Sequence, residues 1–224
     1  LSHPDPTVKR RSGFLVPTYS DPKNLGSGVD VPYFWAIGKD RDLTINNKLF
    51  ASEHPLFLGE YRQAFKDSNM TLDFGYTEGF KRSSKTKKSG DKSHIFTNFL
   101  KNFDSSENIN NNLEVNLQHV SNKKYLKLYK IDSKLVDYET EVLENYLDFS
   151  RINEEKNTFL SINASTYRTL ADTYSDKYEY ILPEVNYEKQ LFNSKYGYGN
   201  FDSNLKVHNF DTNKYKKFLT NNFD

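Results

Sequence analysis

The sequence predicts an all-β protein: an antiparallel meander of about ten strands forming part of a large transmembrane β-barrel. Three observations carry this. Apolar and polar residues alternate at a period of two along most of the chain, the pattern of strands with two unlike faces. Mean hydropathy is −0.82, yet the 224 residues include 16 Tyr, 17 Phe and one Trp. That is too many rings for a chain unable to bury surface, whereas barrel strands cancel their two faces in any average. Strand plus connection averages roughly 20 residues, long for a sandwich with turns every ~8–12 and suited to bilayer-crossing strands of ~9–11.

Taken in order, Val29, Val31, Tyr33, Trp35 and Ile37 share one face against Asp30, Pro32, Phe34 and Ala36. Leu43 and Ile45 alternate with Asp42, Thr44 and Asn46, and Phe57, Tyr61 and Phe65 stand against Glu60 and Arg62. Met70, Leu72, Phe74 and Tyr76 give the cleanest alternation, and Leu113, Val115 and Leu117 repeat it. Residues 141–150, 157–168, 177–188 and 199–210 are the later strands. The breaks Ser20 to Ser27, Gly38-Lys39-Asp40, Ala51 to Pro55 and Lys66 to Asn69 hold the residues that hairpin tips require. Lys81 to Lys92, with six Lys and Arg, reads as a solvated surface loop. Asn122 to Val136, carrying Tyr125, Leu126, Leu128, Tyr129 and Ile131, reads as a short helix or an apolar loop.

Several functions find no support in the residues. A formal net charge of +1 gives no reason to expect a nucleic-acid partner. Zero Cys removes disulfides, thiol nucleophiles and Cys-ligated metals. His3, His54, His94, His119 and His208 are scattered without metal-ligand spacing. Asp40-Arg41-Asp42 lacks the Gly and distal Glu of a calcium loop and reads as a polar hairpin tip. Nothing argues for an enzyme or a cofactor. The chain starts at Leu1 and ends on Phe223-Asp224, and the expectation is part of a longer protein.

Two prolines stand out. Pro17 and Pro32 fall in adjacent strand-like segments, where proline cannot donate to a ladder. Either the pair weakens one seam, or each marks the start or end of its strand; the residues alone leave both open.

Lys9-Arg10-Arg11-Ser12-Gly13-Phe14-Leu15-Val16-Pro17, then Pro32 to Ile37, Asp42 to Ile45 and Glu60-Tyr61-Arg62 resemble the start of the barrel domain of the LptD family of lipopolysaccharide-assembly proteins. Val120 to Tyr129 and Leu182 to Tyr187 match more loosely. The resemblance implies a barrel of about 26 strands behind a periplasmic jellyroll, in the Gram-negative outer membrane. Residues 1–11 would end the linker from that jellyroll, and 12–224 would be the first part of the barrel. Such proteins receive lipopolysaccharide from a periplasmic bridge (LptA-like) and carry a lipoprotein plug (LptE-like). They pass the sugar portion through a wet lumen and out between the first and last strands. Pro17 and Pro32 match prolines that loosen this lateral gate in the family. Lys9, Arg10 and Arg11 fall at the junction, where they would meet lipid phosphates or simply form a basic collar.

Glu60 and Arg62 are expected to face the lumen, and Tyr33 with Trp35 to join an aromatic girdle. Asn47, Asn145 and Asn163 interrupt the apolar face. The competing readings are another outer-membrane barrel (a porin or receptor), a soluble β-sandwich adhesin, and a barrel hydrolase. Another barrel would have no reason for the paired prolines, the adhesin would be favoured by a chain that folds as a soluble monomer without detergent, and the hydrolase would need Asp, His and Ser groups gathered at one rim, which the sequence does not show.

Overall fold

Period-two segments joined by short turns pair with their sequence neighbours, and here they build one sheet. The computed structural model describes residues 10–82, 89–135, 137–171, 178–194, 197–210 and 214–223. The strands are β1 (Gly13–Phe14), β2 (Thr18–Ser20), β3 (Gly28–Trp35), β4 (Arg41–Phe50), β5 (Leu56–Ala64), β6 (Ser68–Gly79) and β7 (Ser89–Ser106). After β8 (Ile109–Val120) comes the helix α1 (Tyr125–Tyr129), then β9 (Val142–Asn153), β10 (Thr158–Thr169), β11 (Tyr178–Ser194), β12 (Gly197–Phe210) and β13 (Lys214–Phe223). All pair antiparallel in chain order, with β1 and β2 both on β3. The sheet is open, its edges being β1/β2 and β13. A single sheet of this kind is an incomplete barrel wall, not a two-layer sandwich.

The register sorts side chains onto two faces. Tyr33, Ile45, Gly59, Phe74 and Ile95 form one cross-strand row. Thr44, Glu60, Asp73, Phe96 and Gln118 form a row on the other side. The first face is apolar and bare: Trp35, Leu49, Phe57, Phe74, Ile95, Leu117 and Leu147 are all exposed. A continuous apolar surface of this kind is unfavourable in water and suited to hydrocarbon. Gly59 has a local reason on this face. A Cβ there would collide with the Phe74 ring, which lies over the bare backbone of the paired residue.

The structure changes three expectations. Strands β7 and β13 are additions to those the alternation predicts, and residues 89–92, expected in the surface loop, belong to β7. Residues 83–88 of that loop lie outside the described residues. Strand β7 lacks a clean alternation because Phe96, on the polar face, is fully buried. Asn163 does not interrupt the apolar face. It pairs with Asp148 and Glu184 on the polar side, and its amide donates to the Asp148 carboxylate at 3.3 Å. Asn145 has a different job. The β8–β9 ladder stops at Asn116–Tyr146, and beyond it the Gln118 backbone N–H donates to Asn145 Oδ1 at 2.6 Å.

Connections 36–40, 65–67, 107–108 and 154–157, of two to five residues, lie at one end of the sheet, opposite 51–55, also of five, and the longer 21–27 and 121–141. Outer-membrane barrels have the same asymmetry, with short turns inside and longer loops outside. The long connection 121–141 folds back onto the polar face. Its Tyr125, Leu126, Tyr129 and Ile131 are buried with Leu25, Leu56, Phe80, Phe96, Val120, Leu143 and Leu170. Each fully buried aliphatic side chain there contributes ~1.5–3 kcal/mol. α1 ends at Lys130, which takes the left-handed conformation (φ 47°), and the Ile131 N–H donates to Leu126 O at 3.0 Å.

Candidate functional site

Among the described residues the first seam has the fewest paired positions of any in the sheet. On β1, Gly13 and Phe14 pair with Phe34 and Tyr33. On β2, Thr18 pairs with Asp30, so the register has slipped by one residue between the two. Val16 and Pro17 therefore stand together opposite Val31, a β-bulge that splits the first strand into pieces of two and three residues. The Leu15 N–H donates to Pro32 O at 2.9 Å. In an antiparallel ladder such a pair exchanges two bonds. Pro32 has no N–H, so the reciprocal bond to Leu15 O cannot form. The proline in β3 thus subtracts its donor from the seam with the first strand, and its pairing with Asn46 on β4 lies in an unbroken ladder.

Side chains hold the start of that strand where the ladder is thin. The Ala36 N–H donates to Ser12 Oγ at 3.0 Å, and Phe14 meets Tyr33 edge-on with centroids 5.0 Å apart. Arg10 reaches past β3 to Asp42 on β4, its guanidinium 5.7 Å from the Phe34 ring centre. Asp42, with a side chain 4% exposed, also accepts from Arg62 Nε at 2.9 Å. A nearly buried carboxylate needs partners of this kind. Arg62 lies 3.4 Å from Glu60, which Lys134 of the long connection approaches at 3.8 Å. Glu60 and Arg62 are thus together on the polar face. Arg10 is committed to Asp42, Arg11 is exposed, and Lys9 lies outside the described residues.

Trp35 is 48% exposed at the short-turn end of β3, two residues from Tyr33 on the same apolar face. The polar face continues across the later strands. Tyr146 donates to Glu114 at 2.6 Å, Lys206 pairs with Glu184 at 3.3 Å, and Asn204 donates to Asn186.

One buried group of side chains escapes sequence reasoning. His94 on β7 lies 3.2 Å from Asp73 Oδ1 through Nε2 and 3.3 Å from the Tyr125 hydroxyl through Nδ1. Its ring stacks on Phe96 at 4.7 Å. In the sequence Tyr125 is only an apolar residue of the connection, and His94 only one of five scattered histidines. Nothing in the linear order joins them to Asp73. Asp42, which reads as part of a polar hairpin tip, is instead the shared acceptor of two arginines.

One meandering sheet with an apolar and a polar face, short turns at one end and the longest connection at the other, is part of the wall of a transmembrane β-barrel. No protein-family model matches the sequence. It is 27% identical to the LPS-assembly protein LptD of Methylococcus capsulatus over 215 residues, 90% of this chain and 18% of that protein. Over 54 residues it is 39% identical to the LptD of Nitrosococcus oceani, covering 24% of this chain and 7% of that one. Over 119 residues it is 32% identical to the LptD of Francisella tularensis subsp. holarctica, covering 50% of this chain and 13% of that one. The chain therefore spans at most 18% of the length of these relatives. Together they support an LptD-family stretch of sequence, at modest identity.

Proposed function

We propose that residues 12–224 form the first part of the barrel wall of an outer-membrane protein that inserts lipopolysaccharide into the outer leaflet, without catalysing a reaction. The polar face, including Glu60 and Arg62, lines the wet lumen through which the sugar portion moves. The apolar face contacts lipid, with Tyr33 and Trp35 in its interfacial girdle. The thin first seam is the moving side of a lateral gate. Residues 1–11 join the wall to a periplasmic jellyroll that meets an LptA-like bridge, and an LptE-like lipoprotein plug sits against the barrel.

The observation that carries this reading is the first seam. A split edge strand with a bulge at Val16-Pro17 and a missing donor at Pro32 lowers the cost of parting the strand. An LPS-assembly relative matched over 90% of the chain suggests the cargo. The orientation follows from the short turns lying at the end where the chain enters the sheet. On that reading Arg10 and Arg11 lie on the periplasmic side, where Arg10 fastens the strand through Asp42.

The test replaces both prolines, Pro17→Thr with Pro32→Val, in the full-length protein in cells. Surface lipopolysaccharide should fall and sensitivity to large antibiotics should rise, with the barrel still assembled. Normal surface lipopolysaccharide in an assembled double variant rules out the gate role.

A further inference from the structure

The connection 121–141 could rest on the polar face through apolar burial alone, and most of its contacts are of that kind. Apolar contact is strong but has no direction, so it does not choose between nearby seatings of a five-residue helix. The Tyr125 hydroxyl on His94 Nδ1, at the buried centre of the connection, is a directed contact.

The chemistry assigns each proton. Asp73 is an acceptor, so His94 Nε2 carries the hydrogen and donates to it at 3.2 Å. In that tautomer Nδ1 is the acceptor, and the Tyr125 O–H donates to it. Burial pushes the Tyr125 phenol well above its ordinary range, so the hydroxyl keeps its proton. Every group in the relay is buried: the His94 side chain is 0% exposed, that of Asp73 9%, and Tyr125 0%. A polar chain at this depth costs free energy if any member is left unpaired. It is therefore specific: moving Tyr125 by one position orphans both the hydroxyl and Nδ1.

We propose that Asp73, His94 and Tyr125 form a latch that seats the connection on the polar face, with His94 as the positioning residue. Asp73 fixes the ring tautomer from β6, and His94 on β7 offers its single acceptor to the connection. The latch also fixes what the connection presents outward. With Tyr125 and Tyr129 turned in, Lys134 is brought to Glu60 at 3.8 Å and Lys123 to the Ala171 carbonyl at 3.1 Å. This goes beyond the proposed transport role, because it concerns how the wall holds its own connection whatever passes beside it.

Backbone hydrogen exchange in the full-length protein, with and without Tyr125→Phe, tests the latch. The phenylalanine keeps the ring and loses only the donor. Amides of 125–131 should exchange roughly tenfold faster, with those of β6 and β7 unchanged. His94→Phe should speed the same amides of 125–131, though it also takes from Asp73 its His94 partner and so disturbs β6, and adding Tyr125→Phe to it should speed them no further, as expected of two halves of one contact. His94→Gln, which retains a donor and an acceptor, should restore slow exchange. Unchanged exchange in Tyr125→Phe overturns the latch, as do additive effects or failure of glutamine where phenylalanine also fails. Lipopolysaccharide export in the same variants reads the transport role separately: lost export with unchanged exchange counts against the latch alone.

Discussion

Pro17 and Pro183 occupy the same local device with opposite consequences. Between Ile181 and Glu184 the register of β11 slips by one against both neighbours, so Leu182 and Pro183 stand together opposite Ala164 and Val207. Val16 and Pro17 stand in the same way opposite Val31. Strand β11 is nonetheless continuous over 17 residues, with ladders on both sides. The first strand is reduced to two short pieces with a ladder on one side. A bulge excuses a proline from the ladder in either place. What differs is how much pairing remains to carry the strand, and at the first seam a second proline, Pro32, removes a donor from the same ladder.

Three substitutions sharpen this contrast. The largest effect is expected from Val185→Pro, just past the bulge in β11, where no register slip excuses the proline. Losing a ladder bond inside a paired strand should cost about 2–3 kcal/mol, read as loss of the heat-resistant folded band on a gel. Next is Asp42→Ala, which leaves Arg10 and Arg62 without their shared acceptor. The start of the first strand should loosen by about 1–2 kcal/mol, a figure lowered by the half-exposed Arg10, and amides of 13–15 should exchange faster. Pro32→Val alone restores the donor to Leu15 O and should tighten the seam by about 1 kcal/mol, so the amide introduced at position 32 should exchange more slowly than one at an open edge. If Pro32→Val left the edge strand as loose as before, the missing-donor account of the first seam would be wrong.

Much of the sheet is legible in the sequence because alternation depends only on which face a residue takes. β6 shows this best: Met70, Leu72, Phe74 and Tyr76 fall on one face and Thr71, Asp73 and Thr77 on the other. β7 is hidden because its polar-face residues His94 and Phe96 are covered by the connection 121–141, so both faces hold rings. β13 is hidden by lysines, which suit an edge and blur the apolar row. At the first seam the prolines are visible, but not the side on which Pro32 withholds its donor. That depends on the one-residue slip and on the Leu15 bond, which no local pattern encodes. The Asp42 and His94 contacts are invisible for a related reason. Their partners lie 20 to 32 residues away along the chain, brought near by register rather than by spacing.

The strict alternation of the two faces also bears on how such a chain travels. Wound as a helix, Met70 to Tyr76 would scatter its apolar side chains around the axis, leaving no greasy segment for a helix-inserting machinery to retain. Among the described residues no helix is long and apolar enough to cross a membrane. A wall written in twos can therefore be threaded unfolded through one lipid layer and show its affinity for lipid only when neighbouring strands align.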